Sequence, residues 1–243
     1  MNALKSEFTK LASVRSTLIY AILLTGALYG PVVLKGLLDQ PSDTPTGWSD
    51  LLLGAPIFQM IVIIMAASFT GGEIKNRMNA QAFLTQSHRM NWLVAKMIVL
   101  AFYTLGTLLL GVALAVGAAS VLGVNMGFGL EQQYLTTSLV TFPLLVMAAV
   151  GITALLRSQV AGIALPILLM LVVEPLLQTA ANSISVLRPL AAIMPNSILT
   201  NLSYGVDVHP HAASGSAAVL VLVGWLIATV AAGLWSNATR DVQ

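Results

Sequence analysis

Six times along this chain a run of about 20 residues passes with at most one charge, the length an α-helix needs to cross the ~30 Å hydrocarbon core of a bilayer. The runs cover 16–38, 51–70, 92–122, 134–156, 160–177 and 216–235. Inside a bilayer a backbone has no water to bond, and a helix is the local structure that satisfies its own N–H and C=O groups. Only 8% of the residues are charged, against about 25% in a soluble domain. With 243 residues in all, little chain is left for anything outside the membrane. The expected fold is an all-α integral membrane protein with six transmembrane helices in a single domain over 16–243. There is no cysteine, which excludes disulfides and thiolate metal sites and leaves the redox compartment open. A net charge of +2 is too small to argue for nucleic acid as a partner. The first run is also longer than the apolar core of a cleaved signal peptide, so it is expected to stay in the protein.

Lys and Arg mark the cytoplasmic ends of spans. Lys5, Lys10, Arg15, Lys75, Arg77, Arg89, Lys96, Arg157 and Arg240, nine of the eleven basic residues, fall on one side of a six-span topology. The loops of the other side carry Asp39, Asp43, Asp50, Glu131 and Asp207, with Lys35 and Arg188 as cations. Both termini are therefore expected inside the cell. Trp48, Trp92, Tyr134 and Trp235 sit at span ends, where an aromatic ring with a polar edge suits the headgroup layer.

Ahead of the first span, residues 1–15 form an amphipathic stretch in which Leu4, Phe8 and Leu11 recur at helical spacing with Val14 beside them. Such a helix lies flat in the interface with its cations toward anionic headgroups and acts as an elbow turning the chain upward. Small residues at Gly224, Ala228 and Ala232, and at Ala113 and Gly117, have the spacing that lets helix backbones approach closely. Between the last two spans, residues 178–215 are apolar but broken by Pro189, Pro195 and Gly205. Pieces of that length read as re-entrant or interfacial helices capping the outer mouth.

Candidates for chemistry inside the membrane are few. Glu174 lies about 14 residues into the fifth span, in its outer third. An intramembrane carboxylate is a functional hypothesis by default, here a position on a translocation path, although a group that shallow can also reach water or pair with Arg188. The histidines at 88, 209 and 211 do not have metal-ligand spacing. The chain has neither a G-x-S-x-G elbow nor a G-x-x-x-x-G-K-[ST] phosphate loop. It is expected to be no enzyme and to hold no cofactor of its own.

The charges that remain gather in one place. Residues 73–96 read EIKNRMNAQAFLTQSHRMNWLVAK, with Glu73, Lys75, Arg77, Arg89 and Lys96 between two apolar spans. An amphipathic elbow, six spans, one long charged loop (71–91) after the second and a broken apolar segment before the last resemble the membrane, or permease, subunits of type-2 ATP-binding-cassette (ABC) exporters. The resemblance covers nearly the whole chain. In that family the loop commonly runs as a glutamate, a short Arg/Lys/Asn and Gly-Thr stretch, an apolar helical turn, and then a proline, an arginine and a lysine at the start of the third span. Glu73, Asn76, the turn from Ala80 to Leu84, Arg89 and Lys96 take those places in that order. Arg77 and Met78 stand where Gly-Thr is usual, and Gln86 where proline is usual.

The resemblance implies that this loop holds a coupling helix that docks into a cleft on an ABC ATPase subunit. Ala82, Phe83 and Leu84 would be its apolar knob and Lys75, Arg77 and Arg89 its charged rim, with Glu73 pairing back to the elbow. It implies two ATPase subunits carrying the ATP and magnesium, a second permease copy or a sibling chain, surrounding lipid, and a multi-pass place in the cell membrane, such as a bacterial inner membrane. The cargo is expected to be amphipathic or hydrophobic (a drug, peptide or lipid), since the spans offer no ring of charge to bind an ion. A secondary transporter or channel is the alternative and would want titratable groups along a pathway. A membrane-embedded enzyme is a more distant one.

Overall fold

The computed structural model describes residues 2–38, 45–76 and 90–239. Among these residues the fold is all-helical, without strands apart from a lone parallel bridge between Thr46 and Met126. In chain order come α1 (Asn2–Ser13), α2 (Arg15–Leu38), the short α3 (Trp48–Leu51), α4 (Ala55–Lys75), α5 (Met90–Val121) and α6 (Gln132–Leu156). Next, α7 (Gln159–Leu168) runs through a π-turn (Leu169–Val173) into α8 (Glu174–Ser183). A 3₁₀ turn (Ser185–Leu187), α9 (Arg188–Ala192), α10 (Pro195–Tyr204) and α11 (Gly215–Thr239) complete the order. Six rods are long and apolar enough to cross a membrane: α2, α4, α5, α6, the continuous α7–α8, and α11. The chain is thus built as a multi-pass membrane protein.

Local chemistry sets the ends of these rods. The second apolar run does not form one helix from residue 51. Trp48–Leu51 makes a separate turn of helix, the chain bends at Leu52–Gly54, and Pro56 opens α4 in its first turn, where a missing N–H costs nothing. The fifth rod extends to Ser183, past the apolar run, because nothing in Gln178–Ser183 breaks a helix. Its π-turn falls between Pro166 and Pro175, neither of which has an N–H to give, so the ladder widens by one residue there.

The core lies among α2, α4, α5 and α6. Leu24, Leu28, Phe58, Met65, Trp92, Leu93, Leu108, Val146 and Val150 are all fully buried, and the rings of Phe58 and Phe142 are 5.1 Å apart between centroids. Lipid tails are as apolar as these side chains, so close packing rather than escape from water holds the spans together. The two remaining rods are peripheral. Buried residues make up 44% of the most apolar window of α4 but only 17% in α7–α8 and 11% in α11.

What joins α11 to α6 is backbone contact. A Cβ built on Gly233 would lie 2.6 Å from the Gly151 carbonyl oxygen, and one on Gly151 would strike the Thr229 carbonyl. Four of the five small residues expected to make such an approach face elsewhere, and Ala232 is half-buried. Gly224 and Gly117 have nothing within 4 Å of a built Cβ, and Ala113, Gly117, Gly224 and Ala228 are exposed. One residue of helix is 100° of rotation, so Thr229 and Gly233 face α6 while Gly224 and Ala228 look outward.

Gly233→Leu should therefore destabilise the protein by about 1–3 kcal/mol through overpacking. Gly224→Leu should change it by less than about 0.5 kcal/mol. Thermal unfolding of both variants in detergent checks the contrast.

Candidate functional site

At the end of the bundle where α1 meets α4 and α5, four charged side chains close on one another away from solvent. Glu7 and Lys96 each have only 4% of their side chains exposed. The Lys96 ammonium lies 2.9 Å from a Glu7 carboxylate oxygen and 2.9 Å from a Glu73 oxygen. The second Glu7 oxygen is 2.6 Å from Lys10 Nζ, and Lys10 lies 3.7 Å from Glu73. The Trp92 indole N–H donates to Glu73 at 2.9 Å, and Lys96 Nζ sits 5.4 Å from the centre of the Trp92 ring. Two carboxylates and two ammoniums leave the group neutral.

Each member is there for a local reason. Trp92 and Lys96 are four residues apart on α5 and share a face, one turn above the other. Glu73 stands in the last turn of α4, where the helix dipole disfavours an anion by roughly 0.3–1 kcal/mol. Lys10, Lys96 and Trp92 offset that cost. Glu7 belongs to the stripe Leu4, Glu7, Leu11, Val14 on α1, and the helix turns this stripe's middle inward: Glu7 is 4% exposed while Leu4 is 40% and Phe8 65% exposed. Thr17 then ties the start of α2 down, its hydroxyl donating to the Leu11 carbonyl at 2.5 Å while its own carbonyl accepts from Tyr103 at 2.5 Å.

Of the residues singled out in the sequence, Glu73 sits at the centre of this cluster and does reach back to α1. Arg77, Ala82, Phe83, Leu84 and Arg89 lie outside the described residues. The cluster nonetheless holds both ends of the segment they belong to: Glu73 precedes it on α4, and Trp92 and Lys96 follow it on α5. Glu7, Lys10 and Trp92 were not singled out as site residues. An acid in the apolar stripe of an otherwise basic helix was the signal, because such a group demands a partner when it is buried.

Glu174 is 1% exposed, and its surroundings are those of a helix cap. Its carboxylate accepts from the backbone N–H of Asn196 at 3.1 Å, from that of Ser197 at 2.8 Å and from the Ser197 hydroxyl at 3.0 Å. These are first-turn donors of α10, which lack partners inside their own helix. Arg188 is not its partner and donates to the Ala181 carbonyl instead. Asn201 similarly brackets His209, donating to its carbonyl at 2.9 Å and accepting from its N–H at 2.8 Å.

Chemically, the charged cluster can hold three helices in register, and it can be released only at high cost. Breaking a buried ion pair by removing one partner costs about 3–5 kcal/mol, since the other charge is left unpaired in a poor solvent. Lys96→Met should destabilise by that amount in detergent, whereas Lys35→Met should cost less than about 1 kcal/mol because the Lys35–Asp50 pair is exposed. Differential scanning of intrinsic fluorescence would separate the two.

The cluster also has a pH signature. Partial burial lowers the pKa of Lys10, but its hydrogen bond to Glu7 and the charges of Glu73 and Glu7 outweigh that and hold it above its ordinary 10.5. A folded value above the unfolded one gives stability that is complete below 10.5 and is lost as pH climbs through the higher folded value. In a variant with Trp48, Trp225 and Trp235 changed to Phe, Trp92 fluorescence should be constant from about pH 7 to 10 and change above that. Adding Lys10→Met should shrink the upper transition.

Compared with known proteins, the sequence matches no family model and no curated protein.

Proposed function

We propose that the chain is the permease subunit of an ATP-driven ABC exporter, and that the charged cluster is the joint through which a partner ATPase moves it. The observation that carries this reading is the position of Glu73. It is ion-paired to α1 through Lys10 and to α5 through Lys96, and it accepts from the Trp92 indole, so the last turn of α4 and the first turns of α5 meet at one junction. In this reading α1 is the elbow helix, both termini face the cytoplasm, and residues 77–89 carry the coupling helix. The broken segment α9–α10 is the re-entrant cap of the outer mouth.

Two ATPase subunits would bind ATP and magnesium and grip the coupling helices of this chain and of a second copy or sibling. Arg77 and Arg89 would set the register of docking, and Ala82, Phe83 and Leu84 would fill the cleft. When the ATPases close, a displacement of the loop would pass through Glu73 and Lys96 into α1, α4 and α5. The cargo would be an amphipathic or hydrophobic molecule leaving across the cell membrane. A channel or secondary transporter is less well supported, because Glu174, the carboxylate set deepest in a span, is engaged as a helix cap.

Phe83→Asp with Leu84→Asp should abolish co-purification of an ATPase from the native membrane, while a tagged wild-type chain retains one whose sequence carries a phosphate loop. An unimpaired complex in the double variant would contradict the docking surface.

A further inference from the structure

Two cavities meet at the end of the bundle remote from the charged cluster. One, of about 250 Å³, lies between the start of α4, α6, the π-turn and α10; its polar lining includes Gln59, Ser138, Asn196 and Ser203, with Tyr134 and Tyr204 beside them. The other, of about 470 Å³, lies between α6, α10 and α11 and is walled mostly by hydrocarbon, including Leu144, Leu199, Leu222 and Leu226. Thr141 and Leu199 line both, so the two spaces are neighbours divided by two side chains. Each is close to or within the ~300–1,000 Å³ of small-molecule sites.

Among the described residues, no Asp, Glu, Lys, Arg or His lines either space. The Glu174 carboxylate is turned into the backbone of Asn196 and Ser197, which belong to the polar wall and its continuation on α10. Gln59 donates to the Asn196 side chain at 3.3 Å, which keeps that wall of amides in place. Along α6 the apolar groove runs from Thr136 to Ala148, about 18 Å at 1.5 Å per residue. That is close to half of a ~30 Å hydrocarbon core, one leaflet deep.

From this division we infer that the two cavities form one bipartite site for an uncharged, single-chain amphiphile. Its hydroxyl or amide head lies among Gln59, Ser138, Asn196 and Ser203, and its hydrocarbon chain lies along α6 and α11. A charged head would enter a pocket that offers no counter-charge among the described residues, which is strongly disfavoured. A plain lipid tail would fill the groove and make no use of the hydroxyls and amides beside it. A second copy of the chain laid on α11 would cover the groove and still not reach the polar pocket behind α10. The assignment deepens the export reading by naming the class of cargo. It rests on that reading for the cargo's role, whereas binding itself needs no ATPase.

The test uses the full chain alone, in phosphatidylcholine nanodiscs, photolysed with a diazirine-bearing monoacylglycerol and mapped by mass spectrometry. Labels should concentrate on 136–148 and 219–226 and be displaced by unlabelled monoacylglycerol. A fatty acid or lysophosphatidylcholine of equal chain length should compete about tenfold less well. Leu222→Trp should cut labelling about tenfold by filling the groove. Gln59→Leu with Ser138→Ala should keep the labelling but remove the preference for the neutral head. Labels spread evenly over the lipid-facing helices, equal competition by charged heads, or copy-to-copy cross-links on α11 in place of lipid labels would each overturn the site. Because no ATPase is present, a failure here is distinct from a failure of the loop to dock.

Discussion

The organisation of this protein depends on the Lys96 ammonium, held between Glu7 and Glu73 with almost no access to water. Removing an ion from water costs several kcal/mol, and that cost is offset only when partners and hydrogen bonds surround it. Here two carboxylates and a second ammonium do so, and the Trp92 indole adds a donor to Glu73. An amphipathic leader that might otherwise float in the interface becomes a fixed part of the bundle. The connection between α4 and α5 likewise leaves and returns through one ionic junction.

At the other end the Lys35–Asp50 pair is exposed, and around the two cavities the hydrogen bonding is mostly between neutral groups. Glu174 is bound to the first turn of α10, and the cavities beside it are lined by amides, hydroxyls and hydrocarbon. The helices differ in the same sense: α2, α4, α5 and α6 share a dense core, while α7–α8 carries a π-turn and α11 is held through Gly151 and Gly233.

Much of the fold was legible in the sequence because hydropathy over 20 residues is a strong signal. Helix ends and facing surfaces were less so. Pro56 moved the start of α4 and left Trp48–Leu51 as a separate turn, a choice of local backbone chemistry that an apolar run does not record. The small residues of α11 occupy several faces, and only the partner helix decides that Thr229 and Gly233 pack while Gly224 and Ala228 do not. Glu174 read as a lone carboxylate because the donors that satisfy it come 22 and 23 residues later, across a chain reversal. Glu73 was legible within its loop pattern, and Glu7 could have been, from its place in the stripe Leu4, Glu7, Leu11, Val14. Arg77, Ala82, Phe83, Leu84 and Arg89 remain sequence readings, since they lie outside the described residues.

A buried ionic junction binds α1 to α5. A double-mutant cycle on Glu7→Gln and Lys96→Met, read by reversible unfolding in detergent, measures it directly. The account predicts a coupling in the upper part of the ~0.5–3 kcal/mol range found for residues in one network. Effects that add to within about 0.5 kcal/mol would show the two residues to be independent and would contradict it.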